Sequence, residues 1–492
     1  MKWAVALALA LPLAAHAAAM GPDEARHLLN RTGFGAQPRE IAEYAALSRS
    51  EAVERQLAGM TRAARTPPPD RVREAIVPPR QLRQAAPEER KSFQAQEIRR
   101  GFDLRTWWLE EMLQTRSPLT ERMTLFWHNH FVSGQQKVRY TKLMYEQNVL
   151  LRRYAGGRFG ELLHAVAKDP AMVIYLDSAS NRKGKPNENF AREVMELFTL
   201  GEGHYTEADV REAARAFTGW SIDPDSGDFK WRPALHDEGT KTVLGRTGNF
   251  DGDAVLDILL ARPSTAEFVV TKLWREFVSP EPDPAEVRRI AQKFQLSNYE
   301  IKVALRELLL SPAFWAPENR GALIKSPVDL VVGTMRALDF HVGDPLPLAL
   351  VVAQLGQNLF SPPNVKGWPG GEAWINSSTL LARKGFAERI FRADEMPTVA
   401  MGELRRRAND ADFARTKGFG RMGEEGRERF VRALYEIQFD PQRWLGQFPG
   451  AVSHGDMERA LLARDPVTPV PTDLSAREVI KRIALDPSYQ LK

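Results

Sequence analysis

Pro186–Trp220 reads PNENFAREVMELFTLGEGHYTEADVREAARAFTGW, and its spacing decides the fold class. Seven carboxylates and three arginines fall within these 35 residues. Phe190, Val194, Leu197 and Phe198 recur at helical spacing and make one apolar stripe. Asn189, Glu193 and Glu196 form a second row. Glu188, Arg192 and Glu196 form a third, which predicts Arg192 one turn from a carboxylate on either side. Asn187 or Asn189 is placed to cap this helix, and Gly201 and Gly203 to end it. Thr206 then opens a second helix through a Thr-x-x-Asp box with Asp209, burying Val210, Ala213, Ala214 and Phe217. The polar rows admit two readings. One is an ion-pair network at a helix junction, where exposed pairs contribute roughly 0.2–1 kcal/mol each. The other is a partly buried carboxylate cluster that holds a divalent metal or does acid–base work. Buried carboxylates need such pairing or coordination, because an isolated ion out of water costs several kcal/mol.

Outward from this block the pattern stays helical. Residues 22–64 carry helices around the turn signal Arg31-Thr32-Gly33-Phe34-Gly35. Six prolines between 66 and 90 predict an extended or irregular connector. Helices return over 91–155, with Pro118 near the start of one, and over 158–177. Residues 222–253 alternate turn clusters with short apolar runs, as in a small β-hairpin. Helices resume from Ala254 to about Leu338, and a Gly/Pro/Trp-rich loop covers 360–374. A helix follows from Ser377, and a last one begins near Ser475; residues 395–470 are polar and irregular, with Pro449–Asp456 loop-like. The expected fold is therefore mainly α: a multi-helical, bundle-like body over residues 20–394, with a β-hairpin insertion around 221–252. Residues 395–492 are expected to form a polar segment and closing helix packed on that body.

Residues 1–19 read as a secretory signal peptide. Met1-Lys2-Trp3 is a short positive start, Ala4–Ala14 an apolar core, and Ala15-His16-Ala17 a small-x-small cleavage site. The expected location is periplasmic or secreted, with no stable membrane span after cleavage. The chain has no cysteine, so disulfides, thiolate metal sites and cysteine nucleophiles are excluded. The formal charge of +5 is spread over mixed-sign segments without a basic stripe, which argues against nucleic acid as a partner.

The remaining constellations are weighed one by one. His128 and His130 point about 200° apart on an ideal helix, so one is read as functional and the other as structural. Glu161-x-x-His164 imitates half of a di-iron motif whose second copy is absent. Asn249, Asp251 and Asp253 imitate the start of a calcium loop, but Ala254 and Leu260 occupy its required Gly and Glu positions; Asp253 is read as a helix cap. His236-Asp237 is a general base, a metal ligand or a loop brace. Trp368 and Trp374 either present flat faces to a sugar or peptide or anchor their loop to the core.

The Pro186–Trp220 string resembles the signature of the bacterial domain-of-unknown-function 1800 family. His27–Gly35, Arg122–Phe131, Asp169-Pro170-Ala171-Met172, Tyr175–Asp177, His236-Asp237, Pro362–Trp368 and Trp374-Ile375-Asn376 agree in order, and Asp486–Tyr489 echoes the usual tail. The resemblance covers roughly residues 22–390. It implies export, and often a companion exported protein with a phosphatase- or sulfatase-like fold, but no defined activity. Two hypotheses follow. One is an enzyme acting on an envelope or extracellular polymer, with His130, Glu193, Glu196, His236 and Asp237 as catalytic candidates. Asn187, Asn189, Arg192, Trp368 and Trp374 would bind substrate, and a divalent metal could assist. The other is a non-catalytic binding or scaffold partner of the companion protein.

Overall fold

A computed structural model describes residues 18–392 and 423–492; the predicted signal peptide lies almost wholly outside the described residues, as does the first part of the predicted C-terminal polar segment, residues 395–422. Among the described residues the fold is mainly helical, with three small antiparallel strand pairs. Its spine is the Pro118–His130 helix, buried along its length except at Pro118 and Asn129. It buries polar as well as apolar side chains and serves two cores. Met123 and Trp127 join a cluster with Phe159, Phe198, Phe217 and Trp274. Leu125 joins another with Trp108, Phe360, Trp368 and Trp444. Among the spine's polar side chains, Glu121 takes both Arg152 and the Trp108 indole N–H.

The predicted helices over 91–155 resolve into Pro87–Gln114, the spine, a short Gln135–Val138 turn and Thr141–Arg153. The proline connector is more ordered than its composition suggests. It holds a 3-10 turn, Asp70–Arg73, and a short helix, Pro79–Gln84. Glu111 accepts from the backbone N–H of Arg65 and Thr66 and so fixes where the connector begins. The predicted hairpin is two hairpins, Trp220–Ile222 with Phe229–Trp231 and Lys241–Val243 with Arg246–Gly248. The helix cap expected of Asp253 is made instead by Asp251, whose carboxylate accepts from Ala254 N–H at 2.9 Å.

Past residue 422 the chain packs back on the body. His341–Val342 pairs with Ile437–Gln438, and the Trp444 indole donates to Ala337 O at 2.8 Å. Pro449–Asp456, expected as loop, runs into the His454–Leu461 helix that Ser453 and Asp456 cap. Ser475 caps the last helix, Ala476–Leu485, through Glu478.

The Arg31–Gly35 turn works by close approach. Gly35 has φ +73°, and a Cβ there would sit 2.4 Å from Gly333 O on the Pro327–Ala337 helix. Gly35→Ala combines left-handed strain with overpacking against backbone and is expected to cost about 2–4 kcal/mol. Urea unfolding checks this; a loss below about 1 kcal/mol would show that the two segments separate freely.

Candidate functional site

The signature block folds as predicted at its second helix and differently at its first. Thr206 and Asp209 make the expected reciprocal cap of Glu207–Ala216. The first helix begins as α over Asn189–Glu193 and continues as π over Val194–Thr199, with Leu200 N–H bonding Met195 O at 2.8 Å. Thr199 Oγ1 donates to Val194 O, five residues back, which favours the wider turn. π segments are frequent at functional sites. Widening the helix breaks the predicted Arg192–Glu196 row. Arg192 bonds Glu188 and, bidentately at 2.7 Å, Glu207 of the next helix.

Glu196 is thereby released to other partners. Its Oε2 accepts from Tyr205 OH at 2.8 Å, and its Oε1 lies 3.6 Å from Lys366 Nζ, which also reaches Glu202 at 3.6 Å. Lys366 comes from the Pro362–Trp368 loop, which the spine holds. Asn129 Oδ1 accepts from Trp368 N–H at 2.7 Å, and Gln136 donates to Pro362 O at 3.1 Å. Gly367, at φ +80°, leaves room for Asn129 where a Cβ would not fit. Burial, with the Glu196 carboxylate next to it, pushes the Tyr205 phenol up to about 12.

Glu193 stands beside this set and is half-buried, with no hydrogen bond or ion pair among the described residues. Burial raises its pKa, the Glu196 charge adds to that, and Lys366 and Arg192 oppose it. The Tyr175 phenol is raised by burial and also feels the Glu193 charge. Asn187 ties the preceding loop down, donating to Asp177 O and Ser180 Oγ and accepting from Asn189 N–H. The Asn189 side chain makes no hydrogen bond among the described residues.

The other sequence candidates lie in different surroundings. His130 is buried among Trp127, Phe131 and Phe159; its Nε2 bonds Phe198 O at 3.0 Å and its Nδ1 meets Lys272 Nζ at 3.1 Å. Burial and the Lys272 charge hold this imidazole well below its usual pKa, so it is neutral and locked. His236 Nδ1 bonds Thr218 O at 2.9 Å. Asp237 is clamped by Arg215, whose hydrogen bond drops its pKa to about 2. Trp368 and Trp374 are 4% and 7% exposed, so they anchor their loop and present no open face. His164 places its two nitrogens on separate carboxylates, Asp253 and Asp257, each at 3.0 Å, which is a clamp and not a chelate. Among the described residues no three His, Asp or Glu side chains gather to hold a metal ion. The five catalytic candidates therefore build no three-ligand metal centre, and only Glu193 and Glu196 are brought together with free chemistry. Lys366 and Tyr205 were absent from the sequence reading. Both stand inside the family-like strings, and only folding brings Lys366 to the carboxylates.

The model of a protein family described as a protein of unknown function (DUF1800) matches residues 27–491. The match continues through the polar stretch 395–470, where the sequence offered no recognisable feature. No curated protein and no solved structure matches the chain.

Proposed function

For this chain, which belongs to the DUF1800 family of proteins of unknown function, we propose an exported enzyme that performs acid–base chemistry on an envelope or extracellular polymer. The reading rests on one observation: Glu193 is a half-buried, unpartnered carboxyl with a raised pKa, beside Glu196, which has cationic and phenolic partners. Paired carboxylates in unlike environments divide acid and base roles. Glu193 would carry the proton that passes to the leaving oxygen. Glu196 would take the proton of the attacking water, with Lys366 and Tyr205 steadying its charge. No step is routed through a metal ion, because among the described residues no three His, Asp or Glu side chains gather to hold one. Export rests on the signal-like residues 1–19.

The test is release of new reducing ends from a panel of isolated envelope and extracellular polysaccharides. Glu193→Gln is expected to lower the rate at least 100-fold, in line with general-acid contributions of about 10²–10⁴, at unchanged melting temperature. No turnover on any polymer, or equal rates in wild type and variant, would sink the enzyme reading. The alternative is a non-catalytic partner of a co-exported phosphatase- or sulfatase-like protein. It draws support from the bracing pairs Arg192 with Glu188 and Glu207, and Arg215 with Glu212 and Asp237.

A further inference from the structure

The loop that leads into the Glu193 helix carries a second feature. Residues Arg182-Lys183-Gly184-Lys185 form a tight turn in which Arg182 and Lys185 face each other across an antiparallel bridge, with Gly184 at φ +77°. All three cations are exposed, and none makes an ion pair among the described residues. Their neighbours behave differently: Arg192, Arg215 and Lys230 each have a carboxylate. The turn therefore offers three exposed positive charges, unpaired among the described residues, to an external anion.

Backbone bonds join the turn to the first hairpin. Lys183 N–H donates to Leu235 O at 2.7 Å, Gly219 N–H to Asn181 O at 3.2 Å, and Arg232 N–H to Gly219 O at 2.9 Å. Trp231 pairs with Trp220 at the open end of that hairpin, next to the turn. The hairpin's carboxylates, Asp223, Asp225 and Asp228, lie at its closed end beyond the Ile222–Phe229 pair, leaving Glu238 as an exposed carboxylate on the following loop. Trp231 is 40% exposed and Leu235 38%. The six-membered ring of Trp231 rests on Gly219, where φ is +90° and a Cβ would come within 2.9 Å of the ring. His236 supports the indole further, at 5.0 Å between ring centroids. The indole is thus backed by the protein and open to solvent, a seated platform and not a projecting wedge.

We propose that Trp231 and the Arg182–Lys185 turn form a binding subsite for an acidic polysaccharide. A pyranose ring has an apolar C–H face that stacks on an indole, and its carboxylates would meet Arg182, Lys183 and Lys185. A bilayer surface would also attract the cations, but insertion favours an aromatic that protrudes, which this one does not. The turn lies on the loop that runs on through Asn187 into the Asn189–Glu193 helix. The inference deepens the polymer-directed reading and rests on it for the substrate class. It is tested by binding without turnover, so either idea can fail alone.

The experiment is titration of the mature, full-length protein with a soluble polyuronate, with neutral dextran, and with phosphatidylglycerol vesicles. Polyuronate is expected to bind and dextran not. Trp231→Ala should weaken polyuronate binding at least tenfold, and Trp231→Phe should retain most of it. R182Q/K183Q/K185Q should weaken binding at least tenfold and flatten its salt dependence. The melting temperature of each variant controls for folding, since all four positions are exposed. No polyuronate binding, binding insensitive to Trp231→Ala or to the triple substitution, or preferential binding to the vesicles would each overturn the proposal.

Discussion

Asp329→Ala is expected to destabilise the protein by about 3–5 kcal/mol, the range for breaking a buried ion pair from one side. Asp329 lies on the first turn of Pro327–Ala337 and is almost fully buried. Its carboxylate receives the Arg122 guanidinium from the spine, Lys492 Nζ at 2.7 Å, and Ser326 N–H at 3.0 Å. Burial alone would raise its pKa, but the Arg122 and Lys492 charges reverse that and hold the carboxyl far below the usual carboxylate range. The alanine variant strands two buried cations and removes half of the helix cap. Glu276, partly exposed and 3.3 Å from Arg122, compensates only in part. Urea unfolding of Asp329→Ala, Lys492→Met and the double variant decides the matter. Because the two groups share one interaction, the double variant should lose less than the sum of the singles. Additive losses, or a single-variant loss under about 1 kcal/mol, would mean the cluster is solvated and contributes little.

This cluster also marks what the sequence could and could not reveal. Caps such as Thr206 with Asp209, or Ser475 with Glu478, are set by residues three apart, and local spacing finds them. The mainly helical class is equally local, because it depends on apolar period. The π segment is not, since Val194, Leu197 and Phe198 fit an α period and nothing in their spacing marks the wider turn. That single change moved Arg192 from Glu196 to Glu207 and left Glu196 to Tyr205 and Lys366. Burial was the other point that spacing left open. Trp368 and Trp374 take the core-anchoring one of the two readings that their Gly/Pro loop allows, with Asn129 holding Trp368. His130 and Glu193 both looked functional by residue type. Only packing separates a histidine walled in by aromatic rings from a carboxyl without a partner.

The same walled-in histidines should make the fold acid-labile well above the carboxylate range. His27 bonds Phe314 O at 2.8 Å, and burial, with Arg31 beside it, drops its pKa to about 3. Burial alone drops His128 to about 3 among Trp108, Phe360 and Trp368. His130 is lowered by burial and by Lys272. Each is neutral when folded and titrates near pH 6.5 when unfolded. Their stabilising effect is therefore complete above that value and is lost as pH falls toward the folded pKa, because the unfolded state binds more protons. For His27 and His128 this is worth about 1.4 kcal/mol per pH unit in that window. Asp169 acts in the opposite sense: burial raises its pKa to about 7, so it favours the fold as pH falls from there toward 4. Glu193, also raised by burial, acts with Asp169, and the three histidines are expected to make stability fall between pH 6 and 4. Urea midpoints across that range measure the slope. His128→Leu fills the same apolar site without a titrating group, and should remove about 1.4 kcal/mol per pH unit from it. An unchanged slope in this variant would show that the His128 site admits water and a proton, and that acid unfolding begins elsewhere.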